Sequence, residues 1–307
     1  MTLEQLRIFL AVAERQHMTR AAEALNLTQP AVSAAIAALE DRHGLPLFHR
    51  IGRHIELTPA GRLLMTEAQA ILRRVAEAEQ ALGELRGLQR GHLSLAASQT
   101  VGNYWLPPIM SAFRRQFPAV TLDLVIGNTE QVAAAIKSGA AELGVVEGIV
   151  RDAQFEELAL PGDSLLLVAG TRHPWVRLQQ AQSHPDIVTR DVLGDVDWVS
   201  REPGSGTRQV METVLAELGL DPAGLRITLE LPSNEAVRLA VEAGAGLTVM
   251  SDLAAEVGIA QGRLAAWPLP DAERAFRLLR HRDYHRSKAA AAFIDLIAER
   301  RAGAPTG

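Results

Sequence analysis

The chain has 307 residues, 48% of them apolar and 22% charged, with a formal net charge of −5 and no cysteine. That length exceeds one ordinary core, so two or three domains of the soluble globular type are expected. The missing cysteines exclude disulfides, thiolate metal sites and thiol redox sensing. No apolar stretch is long enough to cross a bilayer and no basic-then-apolar leader opens the chain, so a cytoplasmic protein is expected.

Three short helices are predicted first. Leu3, Leu6, Phe9, Leu10 and Ala13 recur at helical spacing and give an amphipathic helix. Thr19 is the expected N-cap of a second helix, TRAAEALN, which Asn26 ends by turning left-handed. Thr28 caps a third helix with Pro30 in its first turn, where Val32, Ala35, Ile36 and Leu39 form the buried stripe. Its opposite face carries Gln29, Ser33 and Ala37, small enough to sit deep in a groove. Two helices joined by a short turn, the second with a polar N-terminal face, fit a helix-turn-helix. Gln can bond bidentately to adenine, Pro and Ala can touch a thymine methyl, and Ser can hold a phosphate. A plain three-helix bundle fits the same pattern.

Bulk charge does not choose between the two, since residues 1–58 hold six Lys/Arg and six Asp/Glu. The placement is uneven, with Arg42, His43, His49, Arg50, Arg53 and His54 clustered. LFHRIGRHIELT alternates in character around Gly52-Arg53, predicting a two-stranded wing from which Arg50, Arg53 and His54 reach phosphate or the minor groove. The whole stretch LRIFLAVAERQHMTRAAEALNLTQPAVSAAIAALEDRHGLPLFHRIGRHIELTPAG resembles the DNA-binding domain of LysR-type transcriptional regulators. That resemblance puts Gln29, Pro30 and Ser33, preceded by Thr28, at the major groove and Arg53 on the wing, with Arg50 beside it. Ala34 stands where many relatives carry Arg or Lys, which removes one basic contact.

Thr58-Pro59 is a helix start. From there Leu64, Ala68, Ile71, Val75, Ala78, Leu82 and Leu85 step by four and three, a coiled-coil seam over residues 59–90 that favours a homodimer, although a long helix packed on its own domain would show the same stripe. Such a dimer offers two recognition helices to two half-sites. Tetramers are common among the proteins it resembles, and the sequence does not choose between homodimer and homotetramer.

From Gly91 the pattern becomes short apolar strands alternating with helices, an α/β signature. LSLAAS, VTLDLVIG and AELGVVEG are predicted strands, with helices near 102–117 and 129–138. A second set follows: DWVS, a helix from about Ser205, RITLEL, a helix near 233–243, and GLTVM. A strand around 274–282 and a helix near 286–300 close the chain. This is similar to the two-lobed, periplasmic-binding-protein-like effector domain of the same family. The implied division is 1–58 winged helix-turn-helix, 59–90 linker helix and 91–307 effector domain, with lobe I at about 91–162 and 268–301 and lobe II at about 163–267.

The crevice between such lobes collects strand ends and helix N-termini. Ser98, Gln99 and Thr100 end the first strand, Asn128-Thr129 the second and Glu147-Gly148 the third, while Ser205, Gly206, Thr207 and Arg208 open a helix opposite. Their hydroxyls and free amides suit an anion, although capping is the commonest use of such Ser and Thr. SQTVGNYWLP, GNTEQV, VVEG and REPGSGTR resemble a subgroup holding CbbR-type carbon-fixation and CysL-type sulfur regulators, some sulfite-responsive. The resemblance implies a small anionic effector, sulfite or a phosphorylated metabolite, and no cofactor. Glu147 would repel an anion unless it shares a proton or pairs with Arg208.

The rival reading is a cytoplasmic α/β binding protein or enzyme whose N-terminal bundle is only an interaction module. No Walker motif or GxSxG elbow supports it. Gly244-Ala245-Gly246 follows a helix, with Val249 where a dinucleotide loop needs glycine, and reads as a helix stop. His281 and His285 leave a strand, where that spacing is roughly 13 Å and cannot chelate one metal ion.

Overall fold

The computed structural model describes residues 1–51, 54–84, 91–181, 193 and 196–302. The chain divides into two compact units, Met1–Gly87 and Leu88–Gly307.

In the first unit, α1 (Leu3–Arg15) starts at a capping box in which Thr2 and Gln5 satisfy each other's backbone amides. α2 runs from Met18 to Leu25 and ends on Asn26 at φ 54°. Its N-cap is His17 rather than Thr19: the imidazole Nδ1 accepts from the amides of Thr19 and Arg20, leaving Thr19 inside the first turn. α3 (Gln29–His43) is capped by Thr28, whose hydroxyl accepts from Ala31 N, and closes on Gly44 in the left-handed region. The three helices bury Leu6, Phe9, Val12, Ala22, Val32, Ile36 and Leu39 together.

β1 (Phe48–Ile51) and β2 (His54–Leu57) form an antiparallel pair, with the turn between them outside the described residues. Glu40 ties this hairpin to α3 by accepting from the amides of Leu47 and Phe48 at 2.7 and 3.3 Å. The Thr58 hydroxyl donates to Pro46 O at 2.7 Å and accepts from Gly61 N at 2.9 Å. A Cβ on Gly61 would stand 2.1 Å from Leu47 O, so only glycine lets α4 (Pro59–Glu84) start so close to the preceding loop.

α4 corrects part of the seam. Ala68 is wholly buried in the helix-turn-helix core, and Leu64 and Ile71 pack against that core as well. The apolar stripe therefore serves its own unit over its first half. Val75 is half-buried, Ala78 and Leu82 are exposed, and Leu85 lies outside the described residues.

Among the described residues the second unit is built on one eight-stranded sheet. β3 (Gly91–Ser98), β4 (Val120–Gly127) and β5 (Leu143–Val146) run parallel at one end. A π-helical turn (Val101–Trp105), α5 (Leu106–Gln116) and α6 (Thr129–Ser138) connect them. β6 (Phe155–Gly170) leads on through α7 (Pro174–Gln180) to β7 (Trp198–Arg201), α8 (Gly206–Glu217), β8 (Ile227–Leu231), α9 (Asn234–Glu242), β9 (Leu247–Ser251) and α10 (Asp252–Ala260). β10 (Leu264–His281) and α11 (Lys288–Ala302) return the chain. The strand order is β4-β3-β5-β10-β6-β9-β7-β8.

The long antiparallel pair β6–β10 is the bridge between two lobes. Leu160 of β6 and Phe276 and Leu278 of β10 belong to one core, with Leu93, Val101, Phe113 and Phe293. Leu165 and Leu167 of β6 and Trp267 of β10 belong to the other, with Trp175, Trp198, Met211 and Val249. The register breaks twice between these halves, from Pro268 to Phe276. There Gly162 lies so close to Arg274 that an added Cβ would meet its carbonyl oxygen at 1.6 Å. β10 begins ten residues earlier than the predicted strand at 274, because its first half lies in the second lobe. Gly244 at φ +89° and Gly246 at φ +151° stop α9 before β9, as a helix exit requires.

Candidate functional site

In the first unit, α3 presents its N-terminal turn to the outside. Thr28, Gln29 and Pro30 are exposed, as are Ala34 and Ala37, and Ser33 is half-buried. Gln29 Nε2 donates to the Ser33 hydroxyl at 2.8 Å, a contact that one helical turn brings together. The amide is thereby held along the helix face, with no bond to its oxygen or second N–H among the described residues. Arg42 and His43 extend the exposed face into the last turn of α3. Arg50 stands opposite Ile55 in the β1–β2 ladder, and Arg53 lies outside the described residues.

In the second unit, seven of the eight predicted residues are buried where the lobes meet: Ser98, Thr100, Thr129, Glu147, Ser205, Gly206 and Thr207. Gln99 is half-buried beside them. Thr129 and Gly148 from the first lobe meet Gly206 from the second. A Cβ on Gly206 would lie 2.6 Å from Thr129 Oγ1 and 2.7 Å from Gly148 N, and one on Gly148 would lie 2.9 Å from Gly206 Cα. Two glycines thus let the backbones of the lobes touch.

Ser205 is the N-cap of α8, accepting from Arg208 N at 3.4 Å, and Asn128 caps α6 through Gln131. Thr129 is not a cap. Its hydroxyl is buried and has no hydrogen-bond partner among the described residues, an uncommon state for a buried polar atom. It lies at the first turn of α6 and against the first turn of α8, where backbone amides lack intrahelical acceptors.

Glu147 joins the lobes. Its Oε2 is hydrogen-bonded to the Ser98 hydroxyl of β3, and its Oε1 accepts from the Thr207 hydroxyl of α8 at 3.3 Å. The pairing with Arg208 does not form, because Arg208 reaches outward to Glu212 at 2.8 Å and Glu230 at 2.6 Å. Burial pushes the Glu147 carboxyl above its ordinary value, opposed chiefly by the field of Arg274.

Three residues outside the predicted set organise the rest. Arg201 ends β7 buried, with a bidentate bond to Glu202 and another to Asn234 Oδ1 at 2.5 Å. Asn234 then donates to Thr100 Oγ1 at 3.0 Å and, through its backbone amide, to Gln99 Oε1 at 2.9 Å. Arg274 binds both oxygens of Asp163 at 2.5 and 2.8 Å across the register break. Further contacts close the same cleft: Asn103 and Tyr104 donate to Glu235, and Asn128 to Glu202. Arg201 stands in the REPGSGTR segment, at a strand end where a cleft collects its side chains. Asn234 and Arg274 carry no such local signal.

Residues 3–62 match the family model described as bacterial regulatory helix-turn-helix protein, lysR family, and residues 86–302 match LysR substrate binding domain. The RuBisCO operon transcriptional regulator of Allochromatium vinosum is 35% identical over 299 residues, covering 96% of this chain and 95% of that one. The HTH-type transcriptional regulator CysL of Bacillus subtilis is 33% identical over 251 residues, covering 82% of this chain and 81% of the relative. In fold, the chain is similar to full-length CbnR in a crystal structure with its target DNA, with TM-score 0.67 at 22% identity over 97% of this chain and 99% of that one.

Proposed function

The chain belongs to the LysR family of bacterial transcriptional regulators, and from that premise we propose how its two units divide the work. Gln29, Pro30 and Ser33, introduced by Thr28, read base edges in the major groove, and Arg50 and Arg53 hold phosphate or the minor groove. The second half of α4, with half-buried Val75 and exposed Ala78 and Leu82, pairs two copies of the chain, and tetramers follow from further contacts. Leu82→Asp should then lower the mass seen by light scattering, and an unchanged oligomer would put the pairing elsewhere. The site of action is the cytoplasm, where promoter DNA lies.

The effector is a small oxyanion, sulfite-like or the phosphate of a metabolite, held between the lobes by Thr129, Gly206 and Thr207 with Ser98, Gln99, Thr100, Glu147 and Ser205 around them. One observation carries this reading: the buried Thr129 hydroxyl, without a partner among the described residues, set where the first turns of α6 and α8 meet. Helix N-termini and a hydroxyl donor suit an oxyanion. A ligand bound by both lobes biases their closure through differential affinity, and so alters promoter binding. No cofactor is needed.

Calorimetric titration of the full chain with sulfite, sulfate, phosphate and sugar phosphates tests the assignment. Thr129→Val and Thr100→Val should each weaken the effector by roughly tenfold, the measure of one lost hydrogen bond. Affinity in both variants unchanged from the natural chain, or a neutral apolar effector, would overturn it.

A further inference from the structure

We propose that Asn103 and Tyr104 form a latch that keeps the two lobes together before any effector arrives. The effector site is then preformed, and its affinity depends on residues that never touch the effector. That second part rests on the oxyanion reading above.

The latch is built into the π-helical turn Val101–Trp105, a wide and rare form of helix that recurs at functional sites. Its root is fixed in the first lobe. Val101 is buried in that lobe's core, and Trp105 meets Phe276 edge-on at 5.6 Å. A Cβ on Gly102 would stand 2.9 Å from the Ile126 side chain, so the turn lies close on β4. From this base Tyr104 reaches across. Its ring packs on the second lobe's cluster of Val168, Val199, Val237 and Met250. Its hydroxyl donates to Glu235 Oε1 at 2.9 Å, and Asn103 Nδ2 donates to the same oxygen at 3.1 Å. Leu253 of α10 makes the reverse crossing and packs on the first lobe's core.

Each lobe thus seats an apolar side chain on the other, and one carboxylate oxygen takes two donors from across the cleft. Hydrogen bonds to a charged acceptor are stronger than neutral ones. Glu235 stands in the first turn of α9, where a negative charge is favoured. Burial and the Glu235 carboxylate push the Tyr104 phenol up to about 12, so it remains a donor throughout the physiological range. All of these groups belong to the chain itself, and closure through them needs no ligand. Binding weakens in proportion as the competent arrangement becomes rarer, so breaking the latch costs affinity without touching the ligand.

Two backbone amides report closure. Glu130 N donates to Gly204 O at 3.4 Å and Asn234 N to Gln99 Oε1 at 2.9 Å, both across the lobes. Each lies in the first turn of a helix, where an amide has no intrahelical acceptor. Their protection against hydrogen exchange therefore depends on the lobes staying together.

The test is hydrogen exchange on the full-length, effector-free protein, read at these two amides by fragmentation mass spectrometry. In the natural chain both should be protected. Tyr104→Ala and Glu235→Ala should each speed their exchange roughly tenfold or more, the loss of a hydrogen bond to a charged group. The amides of β3 and β7 should stay as slow as before. Glu235→Gln keeps an acceptor oxygen and should restore most of the protection. Unprotected amides in the natural chain, unchanged protection in both alanine variants, or an equal rise in β3 and β7 would overturn the latch. The natural chain and Glu235→Ala, at a half-buried position, decide the matter even if Tyr104→Ala does not fold. Calorimetry with sodium sulfite and inorganic phosphate tests the second part, where Glu235→Ala should bind roughly tenfold more weakly. Affinity equal to that of the natural chain would overturn the preformed site. No binding of either anion by the natural chain would overturn the oxyanion reading and with it the effect on affinity, while exchange still decides the latch.

Discussion

The outer face of α3 and the seam between the lobes employ the same small residues in opposite ways. On α3, Ser33 and Gln29 sit on the surface and hold each other across a single helical turn. At the seam, Thr129, Gly148 and Gly206 are buried and meet only because three separate loops converge. On the proposed reading, the first arrangement is ready before DNA arrives, since local geometry alone sets it. The second needs the lobes together, so a ligand bound there would be coupled to their closure. Such a regulator would combine a preformed reader with a sensor completed by closure.

The largest expected effect separates the two regions by their folds. Gly162→Ala would place a Cβ 1.6 Å from Arg274 O, and Gly61→Ala one 2.1 Å from Leu47 O, both against backbone that cannot step aside. Each should cost about 3 kcal/mol or more, the upper range for forced overpacking. In scanning calorimetry Gly61→Ala should lower the melting of the first unit while effector titration survives. Gly162→Ala should do the reverse, sparing the fold of the helix-turn-helix. If either variant lowered the melting of both units alike, the independence of the two regions would be broken.

The same contrast explains what could be read before the structure. Capping contacts span three residues, so Thr28 and Ser205 are legible as helix starts, whereas Asn128, read only as a strand end, caps α6. His17 is not legible, because histidine is a minority cap whose role depends on its tautomer. The stripe on α4 was legible as apolar, but periodicity does not say what covers a stripe, and Ala68 turned out to lie in its own core. The cleft residues were legible from their places at strand ends. Their partners were not: Arg274 belongs to a strand that also carries Arg277 and Arg280, both partly exposed, and nothing local marks it as the one buried on Asp163. Asn234 looks like any first-turn polar residue until the fold brings Arg201 and Thr100 to it.

The smallest expected effect is the most discriminating, because its sign differs between the regions. A buried hydroxyl without a partner costs the free protein its desolvation, roughly 1–3 kcal/mol. Thr129→Val keeps the volume and removes that cost, so the second unit should gain about 1 kcal/mol, or about 2–4 °C in melting temperature for a unit of this size. The same substitution should weaken the effector, which is the signature of a group kept for a ligand rather than for the fold. Ser33→Ala is the control on the other region. Ser33 is half-buried and its hydroxyl, among the described residues, is bonded only to Gln29, so stability should stay within about 0.5 kcal/mol while sequence preference in a gel-shift assay relaxes. Unfolding calorimetry of both variants, with and without effector, reads the difference directly. A Thr129→Val chain that melts lower than the natural one would mean that the hydroxyl supports the fold, and the seam would then be a structural joint like any other.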